Sequence, residues 1–488
     1  MSNRWRIKPV AELTPDGESF GLKRSLGPWQ LMALGIGAIV GSGIFATVGE
    51  AAAGAVGRPG AGPAIVISFV LTAVACAFAA LCYAEFASMV PIAGSAYTYA
   101  YATLGELVAW IIGWDLLVEY AVGNVAVAIS WSGYFQALLG SFGIHVPAWL
   151  GTDFRSASAE VTAAAPHLFG MPFVFNLPAF LIVMLVTWVL VRGIRESVGF
   201  NTSMVVLKVG ILALVTAVGA FHVQTSNWHP FAPNGWSGVS HAAALIFFSY
   251  IGFDAISTAA EETKNPQRDM PIGMLGSLAI CTVIYVAVAL VLTGIVPYAK
   301  LAGAEPMADA FIELGMPKFA ALISIGAVIA TTSVLVVFQL GQTRIFLSMA
   351  RDGLLPKWCG ELHPVYRTPH LTTWATGLFV AVVAGVANIS EITELTNIGT
   401  LFAFVLVAVG IMIMRRTNPN LPRAFRTPWV PFVPLAAIFT CGYLMLQLPR
   451  TTWIRFVVWL AVGMIIYYAY SRKRSRLGQT ASAEPPAG

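Results

Sequence analysis

The chain has 488 residues, 57% of them hydrophobic and only 10% charged, with a mean hydropathy of +0.76. Soluble domains carry roughly 25% charged residues, so this composition excludes a soluble globular protein and points to lipid as the solvent. The net charge of +5 does not indicate a nucleic-acid partner, because the basic residues are dispersed through short loops with no stripe of interleaved aromatics.

A span takes about 20 apolar residues, which gives room for about twelve. Apolar runs place segments one to twelve near 29-54, 63-90, 106-138, 176-192, 199-222, 239-260, 271-297, 317-342, 370-388, 392-414, 429-447 and 453-470. They form one all-α transmembrane domain, 29-470, between a polar tail over 1-28 and a second tail over 471-488. The first tail has no signal-peptide core, so insertion is expected to use an uncleaved first helix. With twelve spans, 21 of the 28 Lys and Arg residues fall on the side of the two tails and 6 on the other, with Lys208 inside segment five. Both termini are therefore expected in the cytoplasm of a multi-pass protein of the cell (inner) membrane. The connection from Ser88 to Gly105 has no basic residue. Its Gly94, Ser95, Tyr97, Tyr99 and Tyr101 suit an interfacial stretch lying against the bundle.

Segment one contains Gly35-Ile36-Gly37-Ala38-Ile39-Val40-Gly41-Ser42-Gly43-Ile44-Phe45. Gly37 and Gly41 form a GxxxG pair, which close helix packing would explain. The alternative is a discontinuous helix unwound at Gly41-Ser42-Gly43, whose free N-H groups, through Ile44, face an anionic group such as a carboxylate.

In segment three, Glu119 lies among apolar residues one turn beyond Asp115. A structural acceptor for a broken helix and a proton site are equally open readings. Lys208 lies seven residues into segment five, about 10 Å from its end at 1.5 Å per residue. It either snorkels back to the interface or points inward as a desolvated proton carrier, and in the second role it also substitutes electrostatically for a sodium ion.

Segment six reads Phe247-Phe248-Ser249-Tyr250-Ile251-Gly252-Phe253-Asp254. Glycine interruptions in segments one and six, at corresponding places of two halves, point to an inverted-repeat transporter with a midplane binding site. Carbonyls near Phe248 and Ser249 would face an ammonium while the amides of Ser42 to Ile44 hold a carboxylate, a polarity that selects an α-amino acid. Asp254 either caps free amides of a second half-helix or makes a gating contact with segment three or the substrate.

The 5 cysteines show no paired or metal-binding spacing, and the 7 histidines fall in loops or at span ends. No HExxH, nucleophile elbow or phosphate-binding loop is present, so neither an intramembrane enzyme nor a primary pump is indicated.

At these residues the chain resembles the amino acid-polyamine-organocation superfamily, and within it the cationic amino acid transporter branch. The resemblance covers about residues 21 to 470. Besides Gly41-Ser42-Gly43-Ile44-Phe45, it rests on Ile251-Gly252-Phe253-Asp254 leading to Glu261-Glu262-Thr263-Lys264-Asn265-Pro266-Gln267. It rests also on Gly341-Gln342-Thr343-Arg344 and Met349-Ala350-Arg351-Asp352-Gly353-Leu354-Leu355-Pro356. It implies a five-plus-five inverted-repeat (LeuT-type) fold, helices one to five near 29-222 and six to ten near 239-414, with two extra helices near 429-470. It also implies amino acid transport by alternating access, with a substrate site that takes in Ile251 and Phe253, and proton coupling through Lys208, which matches the lysine that replaces sodium in related transporters. Animal members of the branch have two further spans, so the chain looks like a bacterial permease.

The expected partners are a small amino acid, protons and the bilayer, with no nucleic acid, metal, cofactor or obligatory protein partner. The proton gradient is the expected energy source. Segment eight, with Val334, Leu335 and Phe338 expected at the side-chain pocket, offers the hydroxyls of Thr331, Thr332 and Ser333 but no carboxylate. This favours neutral or broad-range over strictly cationic substrates. An exchanger or a sensor using the same site is the alternative.

Overall fold

The computed structural model describes residues 26-55, 57-89, 96-168, 170-193, 198-254, 256-257, 263-417, 419-420, 423, 425-477 and 479. The tail before residue 26, Gly94, Ser95, Glu261, Glu262 and the end of the second tail lie outside them.

Inside a bilayer a backbone finds no water to bond, so apolar runs close their hydrogen bonds within helices. Helix fills each apolar run at least in part. Among the described residues seven helices are long and apolar enough to cross a membrane, or eight if the bent pair Pro28–Ile39 and Gly43–Ala53 is one span. Shorter apolar helices occupy Leu177–Arg192, His370–Val386 and Phe432–Leu446. The result is a polytopic helical membrane protein.

Helix starts follow local chemistry. Pro28, Pro266 and Pro317 open segments one, seven and eight, where a missing N-H is no loss. The Asn176 side chain accepts from the amide of Ala179 at 3.2 Å and caps segment four. Two segments run further than their apolar stretch. Segment eight continues to Arg351, so Arg344 sits on the helix, and segment three runs from Glu106 to Ser141. Long polar and basic side chains are good helix formers, and hydropathy ends earlier than backbone hydrogen bonding does.

Segment three is the axis of the bundle, packed along segment eight on one flank and segment ten on another. Its most apolar stretch is 89% buried, against 22% for segment twelve, which is peripheral. Segment seven lies against segments one and two, and segment four against nine. The stretch before segment three forms a helix, Ala96–Thr103, whose Tyr97, Tyr99 and Tyr101 are buried against the bundle rather than lying at its surface.

Several buried charged residues are paired near the ends of the helices. Where segments two and ten finish, Glu85 accepts from Arg415 at 2.8 Å and lies 3.2 Å from Arg423, and the amide of Thr427 donates to it at 2.7 Å. At the opposite end the buried Glu394 accepts from Arg58 at 2.6 Å and from the Thr452 hydroxyl at 2.9 Å. There Ser390 also donates to Glu50, and Arg155 and Arg455 both bond Glu391.

Candidate functional site

Segment one is helical over Pro28–Ile39, turns extended at Val40 with φ −76° and ψ 99°, and resumes as Gly43–Thr47 and Val48–Ala53. The two halves are inclined by 47°. The interruption thus centres on Val40 and Gly41, one residue before the expected place, and Gly43 already belongs to the second half. Close packing alone does not describe this segment, since a helix merely packed through GxxxG stays continuous.

Segment six breaks as well. Its helix Gly235–Ile246 tightens into Phe247–Tyr250, Ile251 becomes extended with ψ 135°, and Gly252 takes φ +117°. That left-handed conformation is open to glycine and disfavoured for side chains. A Cβ on Gly252 would also stand 2.9 Å from the Ala38 carbonyl oxygen of segment one.

A helix that stops inside a membrane leaves carbonyls without partners, and each must be met. In segment one, Ile36 accepts from the Val40 amide at 2.8 Å, Gly37 from the Lys208 ammonium at 2.9 Å, and Ile39 from the Tyr285 hydroxyl at 3.0 Å. In segment six the Asn397 amide donates to both Ala244 and Leu245, each at 2.8 Å. Lys208 is 2% exposed and directed into the bundle, so it is not snorkelling to an interface.

The broken segments meet where Gly43 packs on Ser249, so closely that a Cβ on Gly43 would overlap the Ser249 backbone. Gly41 faces Val334 of segment eight, with its absent Cβ 3.0 Å from a valine methyl. Ser42 and Ser249 are buried, and neither hydroxyl has a partner among the described residues. Both hydroxyls are thus open to bond a polar guest. Near this junction lies a small cavity of about 30 Å³, lined by Gly37, Ala38, Glu119, Tyr120, Ile251, Gly252, Asp254, Val334, Val337 and Phe338.

The structure therefore brings together Glu119, Asp254 and Ile251 at the cavity, and Gly43 with Ser249 beside it. Ile44 is buried in the second half of segment one, and Phe248 is buried next to Ser249. Phe253 turns away, packed at 6.2 Å from Tyr83 and 5.2 Å from Phe404. Asp254 accepts from the Gly252 amide at 3.2 Å and so serves the bend while lining the cavity. Of the side-chain pocket expected on segment eight, Val334 and Phe338 reach the cavity, but Leu335 does not line it. Thr331, Thr332 and Ser333 donate to Ala327, Val328 and Ala330 of their own helix.

Two supports escaped the sequence reading. Tyr285 carried no signal, being one aromatic in an apolar run. Asn397, an amide in the middle of segment ten, was a legible one, because a mid-membrane amide needs partners.

Residues 26–469 match the family model of the amino acid permeases. The chain belongs to the amino acid permease family. It is 48% identical to the branched-chain amino acid permease BcaP of Bacillus subtilis (strain 168) over 97% of this chain and 99% of that one. It is 45% identical to the methylthioribose transporter of the same organism, over 98% and 100%. A more distant relative is cationic amino acid transporter 9, chloroplastic, of Arabidopsis thaliana, 34% identical over 92% of this chain and 88% of that one. The permease is a transporter and not an enzyme. In it Lys208, Tyr285 and Asn397 bond the carbonyls next to the interruptions of segments one and six.

Proposed function

We propose that this permease is a secondary active transporter of small neutral L-amino acids, driven by protons and working by alternating access. The observation that carries this reading is the junction of two interrupted helices at Gly43 and Ser249. A half-helix beginning there offers amides to a carboxylate, and a half-helix ending there offers carbonyls to an ammonium. An α-amino acid has both groups at that spacing, whatever its side chain.

Further observations support the finer parts. Apolar Val334, Val337 and Phe338 line the cavity, and the neighbouring hydroxyls of segment eight are spent on their own backbone, which favours an apolar substrate side chain. The 48% identical relative is named for branched-chain amino acids. Lys208 holds the end of the first half-helix, so gain or loss of its proton changes the support of the site itself. The excess of Lys and Arg on one side supports cytoplasmic termini, and membership of the amino acid permease family supports twelve spans, the five-plus-five arrangement with two extra helices, and placement in the inner membrane. No cofactor or protein partner is needed for this cycle.

The test is uptake by the purified chain in sealed proteoliposomes with an imposed inward pH gradient. Labelled leucine, valine or alanine should accumulate, and collapse of the gradient should stop accumulation. Exchange without net accumulation would instead identify an antiporter, and binding without movement a sensor. The 45% identical methylthioribose transporter makes that neutral thiosugar the rival substrate. If methylthioribose is accumulated and no amino acid competes, the zwitterion reading fails.

A further inference from the structure

We propose that Gly123 of segment three sets the upper size limit of the substrate side chain. This rests on the amino acid reading above and adds which residue does the sorting.

At Gly140, near the end of segment three, a Cβ would meet no tight contact, but two glycines deeper in the segment are required by packing. A Cβ on Gly113 would stand 2.8 Å from the Tyr97 ring and 2.9 Å from Met349, and one on Gly133 would stand 2.8 Å from Ala304. Gly123 is different. A Cβ there would meet the Thr396 methyl at 3.5 Å, the Phe338 ring at 3.7 Å and the Phe248 ring at 3.8 Å, all ordinary van der Waals distances. The backbone at 123 is regular helix, where alanine is the better residue. Neither packing nor conformation explains the missing methyl.

What surrounds it does. The three neighbours come from segments six, eight and ten, and with Gly123 they enclose a methyl-sized apolar gap in the middle of the bundle. Phe248 precedes Ser249, the residue on which Gly43 closes, and Phe338 lines the cavity. Thr396 turns its hydroxyl to the Ile392 carbonyl at 3.1 Å, which leaves its methyl towards Gly123. A substrate held by its α-carboxylate and α-ammonium at the Gly43 and Ser249 junction would extend its side chain past Phe248 into this gap. The gap is apolar on every side given, so it accepts hydrocarbon, and its depth is fixed by what position 123 lacks.

One methylene in such a pocket changes discrimination by about tenfold or more. In proteoliposomes the full chain and its Gly123→Ala variant would be compared for half-saturation by leucine and by alanine. The expected result is that leucine loses about tenfold more than alanine. Thr396→Ser, which removes the methyl on the other side of the gap and keeps the hydroxyl bond, should shift the ratio the other way, towards leucine. Thermal unfolding without ligand checks that each variant is folded, and should one not be, the other decides alone. An unchanged leucine-to-alanine ratio, or equal losses for both, overturns the assignment of Gly123. If the unaltered chain takes up neither amino acid, the functional reading falls and this inference with it.

Discussion

The Lys208 ammonium of segment five lies 2.9 Å from the carbonyl oxygen of Gly37, in the last turn before segment one breaks. A charged donor thus completes the hydrogen bonding of a half-helix that no continuing backbone can complete. Lys208→Ala removes it. Gradient-driven accumulation is expected to fall at least tenfold, while counterflow at equal pH on both sides falls less. Concentration of substrate by the alanine variant in a pH gradient would show that Lys208 is not the coupling group.

Asn397 performs the matching task for segment six, donating to Ala244 and Leu245. Asn397→Leu removes the side-chain donor to both carbonyls inside the bundle, a loss of about 1 to 3 kcal/mol. Thermal unfolding in detergent should show the lowered stability, and substrate affinity should weaken by an order of magnitude or so through displacement of the segment six carbonyls. A variant with unchanged melting and affinity would mean that the break supports itself.

Gly43 and Gly41 should differ in tolerance although they are two residues apart. A Cβ on Gly43 overlaps the Ser249 backbone, which has nowhere to go, whereas one on Gly41 meets a Val334 methyl at 3.0 Å that rotates aside. Gly43→Ala is expected to abolish measurable uptake and Gly41→Ala to reduce it severalfold. Equal effects of the two would remove Gly43 from the centre of the site.

A pH effect on stability is expected at Glu305. Glu305 precedes the short helix Pro306–Glu313 and packs on Gly133. Burial, reinforced by the neighbouring Asp309, pushes its carboxyl up to about 7, and burial raises Asp309 as well. A carboxyl raised in the folded state binds its proton more tightly there than in the unfolded chain. Its contribution is therefore present in full below about pH 4.5 and is lost as pH rises through about 7. The melting temperature should fall between pH 5 and 8, by the equivalent of at most about 3 kcal/mol. Glu305→Gln should flatten that slope, and an equally steep slope in the variant would place its origin elsewhere.

Much of this site was legible in the chain, for physical reasons that differ residue by residue. Gly35, Gly37, Gly41 and Gly43 in one run, and Gly252 ahead of Asp254 in another, violate what a continuous membrane helix prefers, so the breaks announce themselves. Lys208 and Glu119 do so through the expense of charge in lipid. That Phe253 packs on Tyr83 and Phe404 was not legible, because backbone spacing does not say which way a ring turns once the helix is interrupted. Tyr285 and Gly123 carried no signal, because an aromatic or a glycine in an apolar run is ordinary until its neighbours are known.

The sequence by itself determined that this is a polytopic membrane protein whose segments one and six carry helix-breaking glycines, because lipid solvent constrains each segment independently of the others. Only the tertiary structure decided what completes those interruptions: that Lys208 and Tyr285 reach one broken end and Asn397 the other, and that Gly43 closes on Ser249. Those partners lie up to 246 residues apart in the chain, and hydrogen bonds over such separations are set by how helices pack, not by any local pattern.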